Sequence, residues 1–404
     1  MKPTDFQADQ ILMQAFSPGG TSLVSDNKAL SAEFVSQIIN ESGLKNLSKV
    51  QLGKLLAGNT AGISVSLGGN YEFVNGNSTP KDFETLMQLT YLTFTDVNFD
   101  KAIFDSFINK QKQFLPNLLA SPQFYFNNEV NKIMTQNHPR AFGFPTMEQL
   151  DKIDFEQVKT VYKERFGDAS DFTFIFVGNF EVEKIKPLLL QYLGSLPGKN
   201  RNENWKDLGI RPPTGGLKKV INRGVDPKSQ VQLTFTGETR FDKQENRLLS
   251  FLGELLTIKL NEILREEKSG VYGVGAGGEL QDIPYERYNF SISFPSGPEN
   301  VDSLIEAVLG EIEKIKNGQI DEKDINKVKE AQLVGLKEDF KRNHYWTYEI
   351  FRSLSRKNEL DSLEEIEARI KAVSKEDLQR IANKYLKKGE QIQLVLMPEA
   401  KAEK

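Results

Sequence analysis

The strongest constraint on the fold of this 404-residue chain is an internal repeat. The stretch 146–166 matches 366–386 in its apolar positions at a constant offset of 220. Asp154 and Ser374 occupy the same place in the two copies (374 − 154 = 220). Both residues suit the N-cap of a helix, and each is followed three positions later by a residue able to complete the cap. The pattern predicts the same capped helix in two copies of one unit.

Strand-like segments accompany this helix in both copies. Apolar residues alternate in 172–176 and again in 392–396, at the same offset of 220 (392 − 172). Upstream, 71–73 resembles 288–290 at an offset of 217 (288 − 71). Alternation with a period of two is typical of a strand with one buried face. Matches that persist through several successive segments predict a tandem duplication.

The two copies are joined by the segment 193–216, whose proline, glycine, asparagine and charged residues are typical of an exposed linker. We therefore expect two homologous units, 1–205 and 206–404. Each mixes strands with long one-sided helices, which predicts an α/β fold of the α+β type with two sheet-plus-helix sandwich domains. A helix is expected at 29–42 in the first unit and another at 246–267 in the second.

Composition excludes several kinds of site. The chain has no cysteine, so it has no disulfide, thiolate metal site or cysteine nucleophile. His138 and His344 are 206 positions apart (344 − 138), so they form no histidine-pair metal motif on one helix. We expect His138 to lie in a loop before Pro139 and His344 to face a helix interface among aromatic residues. A net charge of −4 argues against a nucleic-acid partner, and the lack of an 18-residue apolar run argues against a membrane span.

Candidate chemistry lies where the helix 246–267 gives way to a strand. Arg265 falls in the last turns of this helix, Gly270 suits its C-cap, and Tyr272 is expected to begin the strand. A guanidinium and a phenol at such a corner can bind a carbonyl oxygen or a developing oxyanion. Alternatively, Arg265 complements the helix dipole and Tyr272 packs with its hydroxyl in water. The residues alone leave both interpretations open.

Three glycines follow directly. Gly273, Gly275 and Gly278 fit G-x-G-x-x-G, but a dinucleotide site needs a strand before the glycines and a helix after them. Here a helix precedes them and a strand follows. We expect instead that the glycines allow close backbone approach of a neighbouring strand or of an extended ligand. Gly273 and Gly275 are thus candidate peptide-binding positions.

The segment 264–273 resembles the insulinase/pitrilysin-like zinc metallopeptidases, whose zinc motif is His-x-x-Glu-His. Members of that family consist of duplicated α/β units, paired as two halves that close around a chamber. The half without zinc contributes an arginine and a tyrosine seven residues apart. Arg265 and Tyr272 have that separation (272 − 265 = 7). The resemblance implies that both bind the substrate peptide, with Tyr272 near the oxyanion.

One departure from the family pattern decides which half this chain resembles. The zinc-binding helix corresponds to 29–42, where Glu33, Ser36 and Gln37 stand in place of histidine, glutamate and histidine. Without two imidazoles and the glutamate base, this chain should hold no catalytic zinc. The resemblance implies a zinc-binding partner half, either in the same parent chain or as a separate subunit. We interpret the start of the sequence as a cut inside a longer chain.

The leading hypothesis is that the chain is the non-zinc half of a metalloendopeptidase, inactive by itself. An alternative from another class is a non-catalytic structural or binding subunit of a larger complex, with a vestigial pocket. A third interpretation is a self-sufficient metal enzyme that uses carboxylates and His138. Retention of Arg265 and Tyr272 together favours the first hypothesis over the second.

Overall fold

A computed structural model describes residues 1–267 and 273–400, with side chains for all of these except 265–267. The strands are β1 Lys2–Pro3, β2 Ile11–Pro18, β3 Gly43–Leu44, β4 Ala61–Leu67, β5 Tyr71–Ser78, β6 Val97–Asn98, β7 Thr173–Gly178, β8 Leu217–Asn222, β9 Ser229–Glu238, β10 Gly275–Gln281, β11 Arg287–Ser296 and β12 Ile392–Met397. The helices are α1 Asp26–Ala32, α2 Val35–Glu41, α3 Lys49–Leu55, α4 Phe83–Thr95, α5 Lys101–Ala120, α6 Pro122–Met134, α7 Met147–Lys152, α8 Phe155–Phe166, α9 Val182–Tyr192, α10 Lys243–Asn261, α11 Val301–Lys316, α12 Glu322–Asp339, α13 Asn343–Arg356, α14 Leu363–Lys371 and α15 Lys375–Tyr385. None of the helices in these described residues is long and apolar enough to cross a membrane.

The sheets bear out the duplication. Within the described residues, one five-stranded sheet has the order β1-β7-β2-β5-β4 and another has the order β8-β12-β9-β11-β10. In each, the first pair of strands is parallel and the remaining pairs are antiparallel. The two orders correspond strand for strand. One α/β unit therefore occurs twice.

Packing divides the chain into two compact units that do not follow the sequence order throughout. The first contains 1–115, 145–208 and 337–361, and the second contains 116–144, 209–336 and 362–404. The helix α13 thus belongs to the first unit and α6 to the second. The segment 116–144 belongs to the predicted first repeat, 1–205, but packs in the second unit. The segment 337–361 belongs to the predicted second repeat, 206–404, but packs in the first unit. These two segments are therefore exchanged between the units.

The sheet of the first unit is covered by helices on both faces. On one face, the ring of Phe83 from α4 lies 5.8 Å from the ring of Phe176. On the other face, Phe351 from α13 lies 4.9 Å from Phe16 and 5.3 Å from Phe73, measured between ring centroids. Edge-to-face geometry of this kind adds a favourable quadrupole interaction to the burial of apolar surface.

The second unit has the same layers. Its main core lies between the sheet and the helices α10 and α11, where Leu252, Phe290 and Val308 are fully buried. On the opposite face, α6 packs Phe126 against Leu394. In both units a helix from the exchanged segment covers the face that the main helices leave open.

The strands confirm the repeat but correct its register. Phe176 faces α4, whereas Leu396, its predicted match at an offset of 220, faces α6 on the opposite side of its sheet. An offset of 221 matches Phe174 with Val395 (395 − 174), and both then face the main helices of their units. The predicted offset between β7 and β12 was therefore wrong by one residue.

The match of 71–73 with 288–290 was wrong for the same reason. Phe73 packs against α13, whereas Phe290 lies in the core with α11. Since side chains alternate along a strand, an odd error in the offset moves every residue to the other face. In β7 and β12 both faces are apolar, so periodicity alone does not distinguish them.

The predicted caps of the repeated helix are confirmed. The side chain of Asp154 accepts a hydrogen bond from the backbone N–H of Gln157 at the start of α8. The side chain of Ser374 does the same for Asp377 at the start of α15. Each cap satisfies one of the backbone donors that the first turn of a helix leaves unpaired.

The helix predicted at 29–42 is broken in the structure. The first piece, α1, ends at Ala32, and α2 begins at Val35, with Glu33 and Phe34 between them. The two pieces are held by different neighbours, because Ser31 bonds Gln157 of α8 whereas α2 is hydrogen-bonded to β4. The predicted helix 246–267 is α10 followed by a π-helical turn, Glu262–Glu267.

An ion pair occupies the same place in both units with its charges reversed. In the first unit, Lys28 of α1 binds Glu164 of α8 with an Nζ–Oε1 distance of 2.6 Å. In the second, Glu245 of α10 binds Lys384 of α15 with an Oε2–Nζ distance of 2.5 Å. Lys28 and Glu245 are each the third residue of their helix, and Glu164 and Lys384 are 220 apart (384 − 164). The repeat therefore preserves the position of the pair but not the sign of its members.

Glu245 is the centre of a small polar network. Arg380 donates to its Oε1 at 2.9 Å, and the hydroxyl of Tyr385 donates to its Oε2 at 2.5 Å. Burial opposes ionisation of this carboxyl, but the hydrogen bonds from Lys384, Tyr385 and Arg380 outweigh it, so the pKa of Glu245 is lower than its ordinary value. The network ties the start of α10 to α15.

Glu245→Gln should lower the free energy of unfolding by about 1–2 kcal/mol at neutral pH, since charge-assisted hydrogen bonds are removed. Because the folded pKa is depressed, this contribution is present above the ordinary glutamate pKa of about 4.3 and is lost as pH falls through the lower folded value. Urea denaturation at neutral pH and near pH 3 measures the difference. The exposed residue Glu306 provides the control Glu306→Gln. An equal deficit of Glu245→Gln at both pH values would contradict the assignment.

Candidate functional site

The positions that would hold zinc in a His-x-x-Glu-His helix have other contacts here. Ser36 lies in α2, and its Oγ accepts a hydrogen bond from the backbone N–H of Leu67 at 2.8 Å. Glu33, between α1 and α2, and Gln37 are exposed. A serine hydroxyl and a glutamine amide are not the imidazole, thiolate or carboxylate ligands that zinc prefers. These three residues therefore do not fit a catalytic zinc site.

The histidines offer no alternative. The Nδ1 of His138 accepts a hydrogen bond from the backbone N–H of Arg140 at 3.1 Å, in the loop expected from the sequence. His344 is exposed in the first turn of α13, so its predicted place at a helix interface is wrong. The buried residues of that helix are Asn343 and Thr347. In the described part of the chain, no group of three or more Asp, Glu, His or Cys side chains is arranged to hold a metal ion.

The candidate pair lies at the end of α10. The backbone of Arg265 belongs to the π-helical turn Glu262–Glu267, and the neighbouring Leu264 is fully buried. The side chain of Arg265, the proposed cap Gly270 and the whole of Tyr272 lie outside the described residues. What the structure defines is how the chain is held on either side of them.

Two side chains of α10 fasten it to the edge strand β10 and to Val274, the residue before that strand. The Oγ1 of Thr257 accepts from the backbone N–H of Ala276 at 3.0 Å and lies 3.1 Å from its carbonyl oxygen. The side chain of Asn261 bonds both backbone groups of Val274: Nδ2 donates to the carbonyl at 3.1 Å, and Oδ1 accepts from the N–H at 3.2 Å. We call this pair of residues, four apart on the helix, a hydroxyl–amide clamp. It occupies backbone groups that an edge strand would otherwise expose.

The first unit contains the same clamp. Asn40 bonds both backbone groups of Val65 at 2.9 Å, and Ser36 accepts from Leu67 two residues further along β4. The helix positions differ by 221 (257 − 36 and 261 − 40), and the strand positions differ by 209 (274 − 65 and 276 − 67). Sequence reasoning singled out Ser36 only as a replaced zinc position, and it missed Asn40, Thr257 and Asn261. Their one signal was a hydroxyl and an asparagine with the same i, i+4 spacing in both copies.

The glycines of the segment serve different purposes. A Cβ on Gly278 would lie 2.2 Å from the ring of Phe290, so a side chain there is excluded by the core. Among the described residues, nothing lies within 4 Å of a Cβ built on Gly275, and the Oδ1 of Asn261, at 3.9 Å, is the one atom near a Cβ built on Gly273. The backbone groups of the neighbouring Val274 and Ala276 are bonded by the clamp.

The first unit has an apolar cavity beside β4, and two of the residues that line it match Arg265 and Tyr272 in sequence position. The helix offset of 221 matches Arg265 with Leu44 (265 − 221), and the strand offset of 209 matches Tyr272 with Ile63 (272 − 209). Leu44 and Ile63 both line a cavity of about 210 Å³ beside β4. The polar pair is thus a property of the second unit alone.

Comparison with known proteins gives consistent matches. The family model described as Peptidase M16 inactive domain matches residues 152–332. The probable zinc protease PqqL of Haemophilus influenzae is 24% identical over 340 residues, which cover 83% of this chain and 36% of that protein. A PQQL-like zinc protease of Arabidopsis thaliana is 27% identical over 370 residues, covering 87% and 36%. The crystal structure of the periplasmic protease PqqL from Escherichia coli superposes with a TM-score of 0.84 at 19% identity, covering 98% of this chain and 44% of that one.

These matches locate the chain within larger relatives. It spans 36% of the length of each of the two curated relatives. The family match includes Arg265 and Tyr272 and leaves out α1 and α2. The structural likeness confirms the α/β fold expected from the sequence.

Proposed function

Because this chain belongs to the insulinase-like M16 peptidases as an inactive half of a zinc protease-like protein, we propose that it binds the substrate peptide of a zinc metalloendopeptidase. In this proposal it closes one side of the chamber, and a second half with the His-x-x-Glu-His motif carries the zinc. The chain alone is then inactive. The observation that carries the proposal is the Arg265–Tyr272 spacing within the segment matched by the inactive-domain family.

Arg265 and Tyr272 have distinct roles in this proposal. When water adds to the scissile carbonyl, negative charge develops on its oxygen, and the phenol of Tyr272 donates a hydrogen bond to it. The guanidinium of Arg265 binds a neighbouring substrate carbonyl and fixes the peptide. Zinc in the other half would supply the activated water. Gly273 and Gly275 leave room for the peptide backbone because they carry no side chain.

Three features of the described residues support this assignment. Ser36, at the place of the glutamate base, bonds β4 instead. The corresponding places in the first unit are Leu44 and Ile63, which line an apolar cavity. Asn261 bonds Val274, so the described residues on either side of the segment that contains Arg265 and Tyr272 are held together.

Reconstitution tests the proposal. The purified chain should leave a quenched fluorescent peptide intact, even with added zinc, and should restore cleavage when combined with the half that carries the zinc motif. A zinc half whose motif glutamate is replaced by glutamine is the control and should stay inactive in the mixture. Hydrolysis by this chain alone would contradict the proposal. A zinc half that is equally active without it would favour the structural-subunit alternative.

A further inference from the structure

The apolar cavity of the first unit lies along the outer edge of its sheet. Strand β4 is the last strand of that sheet, and five successive residues of it, 61–65, line the cavity. Because successive side chains of a strand point to opposite faces of the sheet, a cavity on one face would contact only every second residue. The cavity therefore follows the edge of β4, where the backbone lies.

The backbone of β4 offers hydrogen-bonding groups along this edge. In an antiparallel pair of strands, the N–H and C=O of alternate residues point toward the partner strand and those of the others point away. Both backbone groups of Val65 bond the side chain of Asn40, so they point away from β5. Ile63 lies two residues earlier and therefore has the same orientation. Its N–H and C=O face the outer edge, beside the part of β4 that the clamp occupies.

One face of α3 forms a second wall of the cavity. The lining positions there are spaced i, i+3, i+4 and i+7, and they are Lys49, Leu52, Gly53 and Leu56. The helix α3 buries none of its seven residues. The remaining walls are largely apolar, with Ile39, Leu44, Leu89 and Val97 among them.

The size of the cavity suits one large apolar side chain. An engineered apolar cavity of about 150 Å³ in another protein binds benzene. The cavity beside β4, with about 210 Å³, is larger than that. A strand edge, a helix face and a cavity of this size together form a slot for an extended chain rather than for a compact ligand.

The charged residues around the cavity have a small positive excess. Lys49 lines the cavity and binds Glu41 with an Nζ–Oε1 distance of 2.9 Å. The other charged residues that directly neighbour a lining position are Lys45, Lys54 and Asp96, all exposed. Three lysines thus stand against two carboxylates. This balance favours acidic residues in whatever chain lies along the edge.

We propose that this slot binds an extended peptide segment, which adds to β4 as a further strand. The backbone of the peptide bonds the N–H and C=O of Ile63, and one large apolar side chain fills the cavity. Acidic residues on either side of that side chain complement the lysines. The proposal concerns a place separate from Arg265 and Tyr272 and does not depend on proteolysis.

A synthetic peptide tests the proposal with the 404-residue chain alone. The probe is fluorescently labelled Glu-Thr-Phe-Thr-Glu, whose threonines favour an extended backbone. Fluorescence anisotropy should show saturable binding with a Kd on the order of 100 μM, since two hydrogen bonds and one buried ring must offset the loss of the peptide's freedom. Serine in place of the phenylalanine, or lysine in place of both glutamates, should weaken binding by about fivefold or more.

Backbone methylation distinguishes strand addition from simple filling of the cavity. The same peptide with every backbone nitrogen methylated has no N–H to donate to the edge, and its binding should be about fivefold to tenfold weaker. Equal binding of the two peptides would show that the cavity accepts the ring alone and would overturn strand addition. Failure of the unmethylated peptide to bind would overturn the proposal as a whole.

Ile63→Pro tests the edge from the side of the protein. It removes the outward N–H, and an edge position tolerates proline because that N–H does not bond β5. Peptide binding should weaken by about fivefold to tenfold. The matched control is Val220→Pro on β8, the edge strand of the second sheet. Leu217 donates its N–H to Gln391, so the N–H of the exposed Val220 points away from β12, and this variant should bind the peptide like wild type.

Gly53→Phe tests the cavity. Among the described residues, nothing lies within 4 Å of a Cβ built on Gly53 or on Gly335 of α12. A ring at position 53 occupies space that the peptide side chain needs, so peptide binding should fall by about tenfold or more. Gly335→Phe should leave binding unchanged. Both variants replace a helical glycine, and thermal unfolding should show neither to be less stable than wild type.

Wild-type binding by Gly53→Phe, or an equal loss in Val220→Pro and Ile63→Pro, would overturn the assignment of the peptide to this slot. None of these outcomes bears on the proposed function, because they are measured without the zinc half. Conversely, a failure of reconstituted proteolysis leaves the binding measurements valid. The two proposals therefore stand or fall separately.

Discussion

Tyr272→Phe in the assembled protease is expected to lower turnover by about 10²–10³-fold while the assembly stays intact. The substitution removes one hydroxyl and leaves the ring. If that hydroxyl donates to the developing oxyanion, its bond is stronger in the transition state than in the ground state. The loss should then appear in kcat and kcat/KM together, with KM little changed.

Steady-state kinetics with a fluorogenic peptide measures this effect, and size-exclusion chromatography checks that the halves still associate. Tyr348→Phe is a suitable control, because Tyr348 is an exposed residue of α13 and should tolerate loss of its hydroxyl. Equal rates for wild type and Tyr272→Phe would remove the tyrosine from the mechanism. A rise in KM without a change in kcat would assign it to ground-state binding instead.

Arg165→Met should destabilise the first unit by about 3–5 kcal/mol, the largest stability effect we expect from one substitution. Glu72 is fully buried, and its Oε1 accepts from Arg165 and, at 3.0 Å, from the backbone N–H of Gly20. Among the described residues, the second oxygen of Glu72 has no hydrogen-bond partner. Removal of the guanidinium leaves the buried carboxylate without its hydrogen-bonded counter-charge, and Arg201 then supplies the remaining coulombic attraction.

The pH dependence of this effect has a definite sign. Burial raises the pKa of Glu72, and Arg165 opposes that rise. Without Arg165 the folded pKa rises further, so the unfavourable contribution acts when Glu72 is ionised and decreases as pH falls and the group becomes protonated. The deficit of Arg165→Met should therefore be smaller near pH 4 than at neutral pH.

Urea denaturation of Arg165→Met and of the double variant Arg165→Met/Glu72→Leu checks the explanation. The double variant should recover much of the lost free energy of unfolding, because it no longer buries an unpaired charge. Arg342→Met, which removes an arginine from an exposed pair with Asp339, should cost less than about 1 kcal/mol. A double variant no more stable than Arg165→Met would show that packing, rather than charge, accounts for the loss.

The segment around Glu72 also illustrates how the sequence relates to the fold. The turn after β2 contains Gly19 and Gly20, both with positive φ, and a Cβ on Gly20 would lie 2.3 Å from the carbonyl oxygen of Gly68. Adjacent glycines after a strand predict such a turn. The burial of Glu72 beneath it was not predictable, because its partner Arg165 is 93 positions away (165 − 72).

In the candidate site, too, some features were predictable from the sequence and others were not. The Arg265–Tyr272 spacing and the replaced zinc positions at Glu33, Ser36 and Gln37 were read from the sequence, because they are local patterns of residue type. The hydroxyl–amide clamps were not, because serine, threonine and asparagine are common and their partners lie on separate strands. Only the folded chain brings Asn261 to Val274.

The sequence by itself determined the duplication, the helix caps at Asp154 and Ser374, and the absence of a histidine zinc motif, because each depends on short-range periodicity or on composition. The tertiary structure alone decided which face of each strand meets which helix, the exchange of 116–144 and 337–361 between the compact units, and the break between α1 and α2. These features depend on contacts between residues far apart in the chain. Local pattern does not encode such contacts when both faces of a sheet are apolar.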